Sequence, residues 1–269
     1  MNPLYTKLCE AKPMFLIAGP CVVEDESTMF RTAEYLKELC YRKQMPLVFK
    51  SSYRKANRSS IASPSGPGTI QGLEILNKIK HRLELPILSD VHECAEIAEA
   101  ADVCDILQIP AFLSRQTELI KAAANSGAIV NIKKGQFMAP EDMQAAAEKA
   151  CSTGNNQVML CERGSSFGYH NLVVDFRGFA IMQAMGYPVV YDVTHSLQRP
   201  SQGQTSGGNP EYATMMAKAA VATGMLKGLF IETHPEPAKA LSDAASMLPL
   251  NNMEALLDAS IKIYQAMVE

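Results

Sequence analysis

The feature that most constrains the fold of this chain is a set of short apolar runs, each ending in a polar or reactive side chain. Runs of this length, rich in Val, Ile, Leu and Phe and flanked by Gly or Pro, are typical of strands buried on both faces. Eight of them predict an α/β protein with a single (β/α)8 barrel domain over residues 1–269. The runs end at Cys21, Lys50, Asp90, Gln108, Lys133, Arg163, His195 and Glu232.

Helix-like segments alternate with these runs. Their apolar residues recur with the 3.6-residue period of an amphipathic helix. The segments cover residues 26–43, 69–82, 93–101, 116–126, 141–153, 175–185, 211–223 and 252–267. We expect residues 1–12, which precede the first run, to form a short extension that caps the bottom of the barrel.

The active site of such a barrel lies at the C-terminal ends of its strands, so the residues that end the runs should surround one pocket. Three long connections, 51–68, 164–174 and 196–210, fall on the same face and are rich in Ser, Gly and Asn. Long loops in this position are usually functional.

Composition excludes several classes of partner. The net charge is −3 and Lys and Arg are scattered, which argues against nucleic acid or an anionic membrane as partner. The N-terminus lacks the pattern of a signal peptide, and the apolar stretches are too short to span a bilayer. The 7 cysteines are dispersed without a CxxC pair, which predicts reduced thiols and a cytoplasmic protein.

The first candidate constellation is cationic and comprises Lys50, Lys55, Arg58, Lys133 and Arg163. Lys and Arg rarely end buried strands without an anionic partner. One interpretation is that each cation pairs with a nearby carboxylate. The other is that the cations together bind a multiply charged ligand that carries phosphate and carboxylate groups.

The second constellation combines Cys21, His195, Glu232 and Asp243. Closure of the barrel brings the first strand beside the eighth, so Cys21 and Glu232 should be neighbours. A thiolate, an imidazole and carboxylates suit divalent ions such as Zn, Fe or Mn. Alternatively, Cys21 is only a small buried apolar residue.

Weaker signals lie in the loops and at the mouth of the barrel. The loop over residues 50–60 could bind a phosphate monoester or be an ordinary solvated basic loop. The paired glycines in the segment 206–212 could form a hinged lid, an anion-binding helix start or a plain turn. Asp90 could orient a water or receive a proton, with His92 in a supporting role. His170 and His234 are expected to be structural or solvent-facing.

Five motifs carry a resemblance to a known family. They are IAGPC (17–21), KANRSS (55–60), DVTHSLQ (192–198), SGG (206–208) and ETHPEPAKALSDA (232–244). With these motifs the chain resembles the 3-deoxy-D-manno-octulosonate 8-phosphate synthases. The resemblance implies a (β/α)8 fold, a homotetramer and a role in lipopolysaccharide biosynthesis. It also implies that the reaction condenses phosphoenolpyruvate with D-arabinose 5-phosphate and releases phosphate.

The resemblance also implies residue roles. The residues matched to phosphoenolpyruvate are Lys55, Gln108, Lys133 and Arg163, with Lys50 and Asp90 beside it. Those matched to arabinose 5-phosphate are Asn57, Arg58, Ser59 and, in the neighbouring subunit's site, Arg115. The residues expected to take part in catalysis are Cys21, Lys55, Asp90, Lys133 and His195.

The family has a metal-dependent and a metal-free branch, which differ at one position of the first strand motif. The metal-dependent branch carries Cys where the other carries Asn, so Cys21 places this chain with the metal-dependent enzymes. The resemblance thus implies one divalent metal per subunit (Zn, Fe, Mn, Co or similar), bound by Cys21, His195, Glu232 and Asp243.

Two departures and two alternatives accompany the resemblance. Pro64 and Ser65 stand where the family has a bulky Tyr-Arg-type pair, and the segment 201–211 differs from the usual pattern. The nearest alternative is the related synthase that uses erythrose 4-phosphate. That enzyme carries Pro-Arg-Thr after its lysine, whereas this chain has Asn57-Arg58-Ser59. A non-catalytic barrel that binds a phosphosugar is the second alternative.

Overall fold

Eight parallel strands form a closed sheet in the computed structural model, which describes residues 2–57, 64–200 and 207–268. The barrel strands are β1 Phe15–Gly19, β2 Leu47–Lys50, β3 Ile87–Asp90, β4 Ile106–Ile109, β5 Ile129–Lys133, β6 Val158–Glu162, β7 Val189–Asp192 and β8 Gly228–His234. Neighbours in sequence pair in parallel, and β1 also pairs with β8, with Ala18 opposite Ile231. The predicted (β/α)8 barrel is confirmed.

Helices alternate with the strands close to the predicted positions. Their bounds are α1 Pro3–Cys9, α2 Glu26–Arg42, α3 Thr69–Leu83, α4 Ile97–Val103, α5 Thr117–Asn125, α6 Met143–Cys151, α7 Arg177–Ala184, α8 Val193–Ser196, α9 Ala213–Val221 and α10 Met253–Val268. Among these described residues, no helix combines the length and the hydropathy needed to cross a bilayer.

The seventh predicted strand is the one whose end differs most from the prediction. The run ends in helix α8, not in extended chain, because the carboxylate of Asp192 accepts a hydrogen bond from the backbone N–H of His195 at 2.9 Å. A side chain that satisfies a free N–H in this way starts a helix. His195 therefore projects from a helical turn above the barrel.

The buried residues form two layers that follow the two-residue period of the strands. Along β1, Phe15 and Ile17 point into the barrel, while Leu16 and Ala18 pack against the outer helices. The predicted N-terminal extension closes the bottom of the inner layer. Leu8 of α1 is fully buried there, and burial of such a side chain is worth about 1.5–3 kcal/mol.

Two of the long connections carry short antiparallel pairings at the mouth of the barrel. Residues 165–166 pair with 172–173, and residues 198–199 pair with 207–208. In the first long connection, the carbonyl of Ser65 accepts the N–H of Lys55 at 2.8 Å. The departure at Pro64 and Ser65 thus lies directly beside a predicted substrate residue. Most of the departing segment 201–211 lies outside the described residues.

Candidate active site

A cavity of about 510 Å³ opens at the C-terminal ends of the strands, where the sequence predicts the active site. Predicted residues that line it are Lys55, Asn57, Asp90, Lys133, Arg163, His195 and Asp243. Lys50, Gln108, Cys21 and Glu232 are fully buried or nearly so, among the strand ends. Arg115 is exposed, and its carbonyl accepts a hydrogen bond from Lys149. Arg58 and Ser59 lie outside the described residues.

Asp90, at the end of β3, is held by three donors from two neighbouring segments, the loop after β2 and strand β4. Its carboxylate accepts hydrogen bonds from Gln108 Nε2 at 2.5 Å and from the Ser52 hydroxyl, and Lys55 Nζ lies 3.5 Å away. Burial acts to raise the pKa of Asp90, but the charges of Lys55 and Lys50 outweigh it and hold that pKa well below its usual range. Asp90 is therefore a fixed carboxylate in the wall of the pocket.

Lys133, at the end of β5, is the second buried cation of the pocket. Its ammonium lies 2.7 Å from the carboxylate of Asp192 and 4.1 Å above the ring of Phe230. Burial acts to lower the pKa of Lys133, but Asp192 and Asp90 outweigh it and raise that pKa. Lys133 therefore stays charged despite its burial.

Arg163, which follows β6, contains a donor without an acceptor. Its Nη2 donates to Gln198 Oε1 at 3.0 Å, whereas its buried Nη1 has no hydrogen-bond partner among the described residues. A buried charged donor without an acceptor is costly, so this atom is suited to an anionic ligand. Burial lowers the pKa of Arg163 from its usual value.

The first interpretation, pairing with a nearby carboxylate, is confirmed for three of the cations, whereas binding of a multiply charged ligand stays a prediction. Lys50 pairs with Glu232, Lys133 with Asp192 and Lys55 with Asp90. Arg163 instead bonds the neutral amide of Gln198. Lys50 also donates to the carbonyl of Cys21 at 3.0 Å, and it is not among the residues that line the cavity.

The predicted metal-binding residues meet beside these cations. Ligand atoms of Cys21, Glu232 and Asp243 all lie within 4.8 Å of one another. The Cys21 thiol donates to Asp243 Oδ2 at 2.9 Å. Burial raises the pKa of Cys21 well above its usual value, and the charges of Asp243 and Glu232 add to this effect.

His195 completes the group from above. Its Nδ1 lies 2.8 Å from Asp192 Oδ2, while its Nε2 faces Glu232 Oε2 at 3.6 Å and Asp243 Oδ2 at 4.0 Å. A carboxylate on the far nitrogen orients metal-binding histidines in this way. Glu232 Oε2 is buried and has no hydrogen-bond donor within the described part of the chain. The donor set and this unbonded oxygen fit a divalent cation.

The remaining histidines have separate roles. His92 lines the cavity and its Nδ1 lies 3.4 Å from Glu96, and its supporting role beside Asp90 stays a prediction. His170 is exposed, and its ring contacts the carbonyl of Pro200 at 2.8 Å. His234 is buried and bonds Glu24, as expected for a structural histidine.

Sequence reasoning missed several side chains that organise the pocket. Asp192 supports both Lys133 and His195, and the only signal for it was an Asp three residues before a His in DVTH. Gln198 joins Arg163 to Asp243, which are 80 residues apart, and no local pattern indicates this bridge. Lys134 is buried and lies 3.4 Å from Glu162, next to a lysine that was identified.

The fold and the site together define a class of protein. A (β/α)8 barrel with buried cations and a Cys/His/carboxylate group at its C-terminal face is a barrel of the kind that acts on anionic ligands. Residues 7–269 match the DAHP synthetase I family, and the chain belongs to that family.

Several similar proteins share one name within this family. A protein of Pelobacter propionicus is 51% identical over 264 residues, which are 98% of this chain and 96% of the relative. A protein of Acidithiobacillus ferrooxidans is 54% identical over 246 residues, or 91% and 87% of the two chains. A third, from Trichlorobacter lovleyi, is 52% identical over 252 residues, or 93% and 92%. Each is named 2-dehydro-3-deoxyphosphooctonate aldolase, another name for the synthase that the sequence motifs indicate.

Proposed function

We propose that this protein is a synthase that condenses phosphoenolpyruvate with D-arabinose 5-phosphate and water. The products are 3-deoxy-D-manno-octulosonate 8-phosphate and inorganic phosphate, on the route to bacterial lipopolysaccharide. The observation that carries the proposal is the buried cationic wall of the cavity, in which Arg163 Nη1 has no acceptor among the described residues. The names of the similar proteins support the same reaction.

Phosphoenolpyruvate would bind against this wall. Lys55, Lys133 and Arg163 line the cavity and offer their charges to its phosphate and carboxylate. Gln108 donates to Asp90 and accepts from Asn131 at 2.7 Å, so it holds the Asp90 carboxylate in place beneath the cavity. Lys50 has the same supporting position through its bond to Glu232.

Arabinose 5-phosphate would enter from the open side. Asn57 lines the cavity there, and Arg58 and Ser59 follow it in sequence. We assign these three residues to the sugar phosphate. Arg115 is exposed at the same end of the barrel, where it could reach the phosphate of a neighbouring subunit in a homotetramer.

The reaction requires two anions to meet. C3 of phosphoenolpyruvate forms a bond to the aldehyde carbon of the open-chain sugar, and water adds at C2. The hemiketal phosphate that results breaks its C–O bond and releases phosphate. The buried cations contribute by holding both anions close together and offsetting their repulsion. Asp90, which is ionised and bonded by Ser52 and Lys55, would orient the water or receive its proton.

Cys21, His195, Glu232 and Asp243 would hold one divalent ion such as Zn, Fe, Mn or Co. When bound, the ion would supply a Lewis acid or a positioning charge for the reaction. Asp192 orients the His195 imidazole. Lys50 pairs with Glu232 Oε1, whereas His195 faces the other oxygen, Oε2. We also expect a cytoplasmic enzyme without nucleic-acid partners.

The alternative synthase would accept erythrose 4-phosphate in place of the pentose. The relatives at 50–54% identity favour the octulosonate synthase over this alternative. They also argue against a non-catalytic barrel, because each is named as an aldolase.

The test is phosphate release from phosphoenolpyruvate, with arabinose 5-phosphate and erythrose 4-phosphate in parallel. Each assay is run before chelation, after chelation and after a divalent metal is added back. We expect activity with the pentose alone, lost on chelation and restored by metal. Activity with the tetrose alone would favour the alternative, and activity with neither would contradict the proposal. Pentose activity that survives thorough chelation would contradict the metal assignment.

A further inference from the structure

Glu24 is a buried carboxylate that the catalytic scheme leaves unused. It follows Cys21 by three residues, and its side chain is only 9% exposed. Its Oε2 lies 3.1 Å from His234 Nε2, and its Oε1 accepts the backbone N–H of Leu241 at 3.1 Å. One carboxylate therefore joins the segment after β1 to the segment after β8.

The hydrogen bonds of His234 settle which partner donates. His234 Nδ1 accepts the backbone N–H of Glu236 at 2.9 Å, so this nitrogen carries no proton. The proton of the neutral ring is then on Nε2, which donates to Glu24. Two N–H donors, from His234 and Leu241, thus depend on the two oxygens of Glu24.

The segment that Glu24 holds at Leu241 leads directly to Asp243. Leu241 lies two residues before Asp243, whose backbone φ is +51°. This left-handed conformation is uncommon for a residue other than glycine, so we infer that the surrounding contacts hold it. Glu24 fixes the chain just before Asp243. The carboxylate of Asp243 accepts a hydrogen bond from the Cys21 thiol at 2.9 Å.

We propose that Glu24 is a positioning residue that sets the spacing between Cys21 and Asp243 for metal binding. It touches neither substrate nor metal, and it acts through the backbone at Leu241 and the ring of His234. The inference rests on the metal part of the proposed function. Removal of groups that orient metal ligands typically weakens metal affinity by about 10–100-fold.

The test compares Co²⁺ binding by the unaltered protein and the Glu24→Gln variant, both stripped of metal. A glutamine has one acceptor oxygen, so one of the two N–H donors loses its partner. We expect the dissociation constant, followed through the thiolate-to-cobalt absorption band, to rise about tenfold or more, with the band still present at saturation. An unchanged dissociation constant would overturn the proposal.

Two further variants separate positioning from general damage. Glu26→Gln makes the same change two residues further on, where Glu26 pairs with Lys78 at 2.6 Å on the surface, and it should leave Co²⁺ affinity unchanged. Glu24→Asp keeps both oxygens but withdraws them by one methylene, and we expect an intermediate affinity. If Glu24→Gln fails to fold in thermal unfolding, Glu24→Asp decides, and a wild-type affinity in it would overturn the proposal.

The outcome is distinguishable from failure of the proposed function. Phosphate release by the unaltered protein tests the reaction, whereas Co²⁺ affinity of the variants tests Glu24. A protein that binds Co²⁺ in a Glu24-dependent way but lacks activity would retain this inference and lose the reaction. An unaltered protein without a cobalt–thiolate band would overturn the inference directly.

Discussion

The pocket has two halves with opposite needs. The cation half comprises Lys55, Asp90, Lys133 and Arg163, and it contains a buried donor without an acceptor, Arg163 Nη1. The acceptor half comprises Cys21, His195, Glu232 and Asp243, and it contains a buried acceptor without a donor, Glu232 Oε2. These two atoms are unbonded within the described residues. The first half is therefore suited to an anion and the second to a cation.

The halves also differ in how they are positioned. Asp90 and Lys133 are the last residues of their strands, and Arg163 directly follows its strand, so the barrel positions three of the four residues of the cation half, while Lys55 lies in the loop after β2. In the acceptor half, Cys21, His195 and Asp243 lie beyond the strand ends, and only Glu232 is in a strand. The acceptor half depends on side-chain bonds from Asp192, Gln198 and Glu24 for its geometry. It should therefore be the more sensitive to substitutions outside the site.

The largest effect is expected for Cys21→Ala. Loss of the thiolate removes a proposed metal ligand, so metal-dependent turnover should fall by at least about a hundredfold while the barrel remains folded. Phosphate release at saturating metal and the far-ultraviolet circular dichroism spectrum measure the two effects. Cys94→Ser, a change at an exposed cysteine, is the control and should retain full activity. A metal-insensitive, fully active Cys21→Ala enzyme would contradict the assignment.

Arg163→Lys should damage the cation half alone. Lysine keeps the positive charge but loses the planar fork, and a bond to a charged group is worth about 1.5–3 kcal/mol. We expect phosphoenolpyruvate binding to weaken by about 10–100-fold, measured by calorimetry, with metal affinity within about twofold of the unaltered value. Arg177→Lys, at an exposed arginine paired with Asp175, serves as the control. An equal loss of metal affinity would show that the halves are not separable.

Gln198 offers a smaller test, because it connects the halves. It accepts from Arg163 at 3.0 Å and donates to Asp243 at 3.2 Å. Gln198→Leu should weaken phosphoenolpyruvate and metal binding by a few-fold each. It should also reduce the effect that one ligand has on the affinity of the other. Titration of each ligand with and without the second measures this coupling. Coupling of undiminished size would mean that the halves communicate by another route.

The smallest effect concerns the pH dependence of stability that Asp90 contributes. Burial acts to raise the pKa of Asp90, but Lys55 and Lys50 outweigh it and hold that pKa well below 3.8 in the folded protein. A lowered pKa stabilises the fold above the unfolded-state value. That contribution is lost as pH falls from about 3.8 through the folded-state value, at about 1.4 kcal/mol for each pKa unit. Urea unfolding of metal-free protein between pH 5 and pH 2 measures it. Asp90→Asn should flatten this dependence, and an unchanged slope would contradict the electrostatic account.

The sequence predicted the barrel well because the fold depends on local patterns. Buried parallel strands require continuous apolar runs, and these runs are visible in any single stretch of the chain. The predicted end of β7 was wrong because a side-chain hydrogen bond ends the strand early. Asp192 caps α8, so the chain becomes helical before His195. The predicted cap at the bottom is confirmed by α1, whose Leu8 is fully buried there.

The site was harder to predict, because its contacts join distant residues. Lys50 was expected beside the substrate, yet it bonds Glu232, 182 residues away. The orientation of the unbonded Nη1 of Arg163 depends on where Gln198 lies, which no periodicity reveals. The roles of Asn57, Arg58, Ser59 and Arg115 stay predictions from the family resemblance.

The most direct measurement is a crystal structure of the protein with Co²⁺ and phosphoenolpyruvate, using the anomalous signal to locate cobalt. Our account predicts cobalt bound by Cys21, His195, Glu232 and Asp243. It also predicts the phosphate or carboxylate of phosphoenolpyruvate within hydrogen-bond distance of Arg163 Nη1. Cobalt at another position, or phosphoenolpyruvate bound away from Arg163, would contradict the division of the pocket into an anion-binding and a cation-binding half.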